Sequence, residues 1–228
     1  MTGGLFIAIE GPDGSGKATQ AKLLTDWLRI EGHDVELFSF PQYGQPSAYF
    51  AEQYLAGNFG QLKDIDAERG SLFFALDRYD ASFKIRAALK QNKVVVSDRY
   101  VISNMGDQGT KLDTEDKREK YYRWLDQLEF GILGIPRPDI SIMLIMPPEL
   151  ANRLIGDREG RPHLGGHNRD LHELDASHMH RVQHNYVEIS QQFPNLVTRI
   201  DCAVENHLRP IDDIQTDIRA ATAKHIAK

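Results

Sequence analysis

Apolar residues gather along the chain into short runs, each followed by a longer stretch in which they recur every three or four positions. "LFIAIE" (Leu5–Glu10), residues 94–97 and "ISIMLIM" (140–146) are continuous apolar runs, the pattern of strands buried on both faces. Residues 35–40 and 196–200 read as two further strands. Between them lie helical patterns. The first ends at Ile30, with Ala21, Leu24 and Leu28 on one face and Gly32 as its stop. Others cover about 47–56, 66–91, 113–133, 170–192 and 210–226. Asp113 with Thr114 offers an N-cap, and Pro210 opens the last helix. Strands alternating with helices predict an α/β fold, a five-stranded parallel sheet flanked by helices, with ligands at the carboxyl ends of the strands.

The 228 residues, 41% of them hydrophobic, suffice for one sizeable core, so a single domain over 1–228 is expected. "GDREGRPHLGGHNRD" (156–170) stands apart, with four glycines, Arg158, Arg161 and Arg169, and almost nothing apolar. It reads as part of a mobile lid at about 153–170. The net charge of −6 argues against a nucleic-acid or membrane-surface binder. A single cysteine, Cys202, excludes an internal disulfide and fits a reducing compartment. No apolar run approaches the roughly 18 residues of a membrane span, and "MTGGLFIAIEG" lacks the features of a signal peptide. The expected location is the cytoplasm.

"GPDGSGKAT" (11–19) follows a predicted strand and opens a predicted helix, the context of a phosphate-binding loop. Gly11, Gly14 and Gly16 let backbone N–H groups turn inward, and Lys17 can reach the β- and γ-phosphates. The position that normally supplies a magnesium-binding hydroxyl is Ala18. Thr19 does not replace it, since one helical residue is a rotation of about 100°, which aims it toward the α-phosphate. Magnesium relies on waters, phosphate oxygens and one or two carboxylates, for which Asp13 and Asp98 are the suppliers.

"VVVSDRYVISN" places Asp98 and Arg99 at a strand end beside that loop, a carboxylate for a metal and a fork for a second phosphate. In "LFFALDRYDA", Phe74 and Arg78 stand four apart on one helical face, able to stack on a base and hydrogen-bond its edge. Leu72, Phe73 and Leu76 read as core.

The phosphate loop "GPDGSGKATQ", "FPQYGQ" (40–45), "LFFALDR" and "SDRYVISN", with "RDLHELDASHMHRVQHNY" further on, resemble in order and spacing the thymidylate kinases of bacterial type. The resemblance implies a P-loop nucleoside monophosphate kinase fold, commonly homodimeric, that transfers a phosphoryl group from ATP to dTMP with magnesium. Gly11, Pro12, Asp13, Gly14, Ser15, Gly16, Lys17, Ala18 and Thr19 then form the ATP loop. Phe74 matches the ring that stacks on thymine, Arg78 the donor to its O4, and Asn104 a further base contact. Phe40 and Tyr43 pack against the monophosphate, and Arg99 clamps its 5′-phosphate. Asp13 and Asp98 serve the metal. Asp170 and Glu173 match an acidic pair near the sugar and magnesium, although helix-start acids have the same pattern. The loop carries no arginine, so catalytic charge is expected from the lid, with Arg158 and Arg161 favoured over Arg153. "RIDCAVEN" (199–206) is expected on the adenine side.

Three positions depart from the family. Besides Ala18, Gln42 replaces an arginine that helps hold the acceptor phosphate. Asp107 replaces a tyrosine beside the sugar, which opens the question of ribose against deoxyribose. Two alternatives therefore stand: a kinase of dUMP or UMP, and a nucleotide-binding regulator with a decayed metal site.

Overall fold

The computed structural model describes residues 3–156 and 176–226. Five strands, β1 (Leu5–Glu10), β2 (Val35–Ser39), β3 (Val94–Asp98), β4 (Ile140–Ile145) and β5 (Thr198–Asp201), form one parallel sheet in the order β2-β3-β1-β4-β5. Every strand expected from the apolar runs is present, and the sheet is α/β and flanked by helices as expected. β1 shows why those runs are continuous. Phe6 and Ala8 point into one core layer, while Ile7 and Ile9 point into the other, so neither face is left for polar residues.

Helix α1 (Lys17–Ile30) buries Ala21, Leu24 and Leu28 against the second layer, together with α8 (Ile211–Ile226). The first layer packs under α3 (Ala67–Lys90), α4 (Val101–Gln108), α5 (Glu115–Asp126) and α7 (Ala176–Gln192). α2 (Tyr49–Leu55) lies along α3, and α6 (Pro148–Gly156) follows β4. Asp66 caps α3 by accepting from Arg69 N, and Thr114 caps α5 by accepting from Lys117 N. The Pro210 carbonyl accepts from Asp213 N and Ile214 N at the start of α8.

Four features differ from expectation. α4 was hidden because "VISNMGDQ" is short and holds β-branched residues and a glycine, all poor helix formers. Its Gly106 is needed, since a Cβ there would stand 2.2 Å from the buried Tyr186 ring of α7. The helix expected over 113–133 gives way at Gln127–Ile132 to a wider π-turn, in which Leu133 N donates to Leu128 O. Residues 153–156, where the expected lid begins, form the last turn of α6; the rest of that segment lies outside the described residues. After β5, Ala203–Val204 and His207–Leu208 pair as a small hairpin (β6, β7) around Glu205 and Asn206, both at positive φ.

Leu72 and Leu76, expected in the core, are 36% and 46% exposed. They share a stripe of α3 with Tyr79 and Phe83, while Phe73, the third residue expected in the core, is only partly buried and packs against Phe50, Tyr54 and Phe59. Among the described residues, no helix is long and apolar enough to cross a membrane.

Candidate active site

β1 and β3 pair with Ile9 opposite Asp98, so the segments that leave their carboxyl ends start side by side. The first is the phosphate loop. Gly14 and Gly16 are left-handed, and a Cβ at Gly14 would lie 2.6 Å from Ala151 O of α6. Gly16 occupies the N-cap of α1, and no side chain caps that helix, which leaves first-turn N–H groups open to an anion. The Ser15 hydroxyl is buried without a hydrogen-bond partner among the described residues, a deficit that a phosphate oxygen would relieve. Lys17 is buried and its Nζ donates to Pro12 O at 2.7 Å. Burial, and then the neighbouring Arg99 charge, bring its pKa down to about 8. Ala18 and Thr19 are exposed. On the far side of the loop, Cys202 of the "RIDCAVEN" segment lies 3.8 Å from Ser15 O through its Sγ.

The second segment places Arg99 in a left-handed conformation, φ 69°, costly for a residue with a Cβ. It is held there by Arg99 N donating to Ile9 O at 2.9 Å and by the Ser97 hydroxyl bonding to Arg99 O. The guanidinium then meets Asp13 in an ion pair, with Asp107 at 3.8 Å. Burial raises the Asp107 carboxyl to about 6, against the pull of Arg99.

Around these charges opens a cavity of about 250 Å³. Phe40, Tyr43, Phe74 and Arg78 line it, as do Arg99, Asn104 and Asp107, with Asp13, Ala18 and Asp98 at the phosphate-loop end. All the acceptor-side residues expected from the sequence that fall within the described residues thus reach one space. Gln42 does not. Its Nε2 donates to Asp77 Oδ1 at 3.0 Å and its backbone N to Asp77 Oδ2 at 2.8 Å, so it ties the Phe40–Tyr43 segment to α3. A larger cavity, about 530 Å³, opens beside Asp139, Ile140, Val197 and Thr198 at the amino ends of β4 and β5, away from the carboxyl edge where ligands of such sheets bind.

Two buried acids escaped the sequence reading. Glu10 accepts from Ile102 N at 3.1 Å and from Ser103 Oγ at 2.7 Å, fixing the start of α4, which carries Asn104 and Asp107. Burial raises its pKa to about 7. Glu129, on the π-turn, accepts from Arg78 Nε at 2.6 Å and Nη2 at 2.5 Å, and neither partner is more than 2% exposed. Burial opposes the Arg78 charge, but Glu129 outweighs it and the guanidinium stays protonated. An acid ending an apolar strand, and another inside "LDQLEFGILGI" (125–135), were the available signals, because a charge in an apolar run needs a buried partner.

For a metal, the carboxylates of Asp13 and Asp98 face the same cavity and supply the hard oxygen donors that magnesium prefers. Among the described residues no three His, Cys, Asp or Glu side chains cluster as a cation site. Arg158, Arg161, Asp170 and Glu173 lie outside the described residues.

A parallel sheet whose central strand leads into a phosphate loop, with Arg99 lining the cavity beside it, is the architecture of a P-loop nucleoside monophosphate kinase. Residues 9–218 match the family model described as thymidylate kinase. A thymidylate kinase of Mycobacterium tuberculosis is 36% identical over 189 residues, covering 82% of this chain and 86% of its own. A probable thymidylate kinase of Pyrococcus horikoshii is 33% identical over 226 residues, 97% of each. The chain belongs to the thymidylate kinase family. The solved structure of thymidylate kinase from Candida albicans shares the fold, with a TM-score of 0.70 at 23% identity, over 98% of this chain and 92% of that one.

Glu10 gives the site a pH signature. Its carboxyl stays protonated in the fold up to about pH 7, against an ordinary value of 4.5. The stability this confers is complete below about pH 4.5 and lost as pH rises toward 7. Glu10→Gln, which keeps shape without the charge, should gain on the wild type across that window by at most about 3 kcal/mol. Urea midpoints of both proteins from pH 4.5 to 8 measure it, and parallel curves would show that Glu10 titrates normally.

Proposed function

We propose that this kinase transfers the γ-phosphoryl group of ATP to dTMP, giving dTDP, and that Arg99 is the clamp for the acceptor phosphate. The observation that carries the reading is the cavity itself, because one space joins the phosphate loop, a strained arginine and an aromatic–guanidinium helix face. ATP lies over residues 11–19, its phosphates on the open N–H groups and Lys17. The base of the acceptor stacks on Phe74, with its edge toward Arg78 and Asn104, while Phe40 and Tyr43 close the other side. The 5′-phosphate displaces Asp13 and Asp107 from Arg99 and so faces the γ-phosphate.

Phosphoryl transfer asks chiefly for positioned positive charge and exclusion of water. Lys17 and Arg99 supply the fixed part of that charge, and Arg158 and Arg161 bring the rest when a lid at about 153–170 closes over a single kinase domain. Asp13, Asp98 and Glu173 would hold Mg2+, which would supply neutralisation of the phosphate charge, with Asp170 beside the sugar. The reading places the enzyme in the cytoplasm, with neither nucleic acid nor membrane as partner.

Asp107 favours a second reading of the sugar. A carboxylate accepts from a 2′- as readily as from a 3′-hydroxyl, so UMP and dUMP belong in the test. With ATP and Mg2+, dTMP should be phosphorylated at higher kcat/KM than dUMP, UMP or CMP, and Arg99→Ala should lose at least about tenfold in kcat/KM for dTMP, the cost of a charge-assisted contact. A marked preference for UMP would transfer the assignment to a ribonucleotide, and tight ATP binding without acceptor-dependent ADP release would reduce the protein to a nucleotide-binding regulator.

The exposed stripe Leu72, Leu76, Tyr79 and Phe83, with Tyr49 and Phe50 of α2 nearby, is the face through which two copies associate, since exposed aromatic residues of one helix face mark interfaces. Sedimentation equilibrium should give twice the 25.9 kDa chain mass for the wild type and a single mass for Phe83→Glu. A monomeric wild type would remove the dimer from the account.

A further inference from the structure

Glu129 does not itself line the acceptor cavity, yet both of its oxygens are bonded to side chains that do. Oε2 accepts from Arg78 Nε; Oε1 accepts from Arg78 Nη2 and, at 3.4 Å, from Asn104 Nδ2. These contacts decide which atoms remain for a ligand. Of the five N–H donors of Arg78, those on Nη1 are engaged by no group among the described residues. The Asn104 amide is oriented by the same carboxylate. Its Nδ2 also donates to Ser71 O at 3.2 Å, and an amide oxygen turned toward two acceptors would be repelled by both. Oδ1 is therefore the atom that Asn104 keeps for the cavity, with no hydrogen bond among the described residues.

The cavity wall consequently offers a donor beside an acceptor. A thymine or uracil edge presents a 4-carbonyl that accepts and an N3–H that donates. Cytosine presents a 4-amino group that donates and an N3 that accepts. The wall matches the first at both atoms and opposes the second at both.

We propose that Glu129 is a positioning residue that sets base specificity: it holds Arg78 and Asn104 in the polarity that admits a 4-oxo pyrimidine and rejects a 4-amino one. The inference rests on the acceptor site proposed above. Glu129 is fully buried on its π-turn, which leaves its carboxylate no solvent to turn to.

The test compares dTMP and dCMP as acceptors for Glu129→Gln at saturating ATP. Glutamine keeps the shape, removes the charge opposite Arg78 and presents an NH2 to one of its former donors. The dTMP:dCMP ratio of kcat/KM should fall about tenfold or more, chiefly through KM for dTMP, while KM for ATP stays within about twofold. A loss that falls equally on both acceptors, or a ratio that remains at the wild-type value, overturns the proposal and leaves Glu129 a packing residue. Glu129→Asp keeps the buried charge pairing and shortens the reach, and it carries the same comparison should the glutamine variant not fold. The two readings fail separately. A wild type that phosphorylates dCMP as well as dTMP defeats the acceptor site, whereas a selective wild type whose selectivity survives in these variants defeats only the role of Glu129.

Discussion

The pairing of β1 with β3 is the constraint on which the site depends. Parallel register sets Ile9 opposite Asp98, so a glycine-rich loop and an arginine turn leave the sheet at one level. Arg99 N is hydrogen-bonded to Ile9 O, which makes the turn an extension of the pairing itself. Any shift of one residue in this register would carry Arg99 to the opposite face of the sheet. The left-handed backbone at Arg99 is tolerated because bonds on both sides over-determine it.

Electrostatics then sets the terms on which phosphate enters. The Arg99 guanidinium is paired with Asp13 and Asp107, while Lys17 donates to the carbonyl of Pro12. A phosphate must exchange for these partners rather than find bare cations. Burial raises Asp107 to about 6 and lowers Lys17 to about 8. A dianion between Lys17 and Arg99 restores opposite charge to both. The departures from the family fit the same picture. Gln42 is committed to Asp77, which leaves Arg99 as the acceptor-side cation, and Ala18 leaves the carboxylates of Asp13 and Asp98 as the oxygen donors at that end of the cavity.

What the sequence disclosed follows from the range of the forces involved. The strands and the phosphate loop were legible because apolar runs and a glycine spacing are local signals. Phe74 with Arg78 was legible because helical periodicity is local too. Glu129 was not, as its partner Arg78 lies 51 residues away. α4 was missed because tertiary contacts, Glu10 at its start and Tyr186 against Gly106, override weak propensity. Leu72 and Leu76 were misplaced because an apolar stripe looks the same in sequence whether the fold buries it or leaves it exposed.

The central claim is that the acceptor sits between α3 and Arg99, facing the phosphate loop. A crystal structure with dTMP and a non-hydrolysable ATP analogue tests it most directly. The account predicts the pyrimidine ring on Phe74, its edge against Arg78 and Asn104, and its phosphate on Arg99 across from Lys17. Thymidylate found instead in the cavity between Asp139 and Val197, or bound with its phosphate away from Arg99, would contradict it.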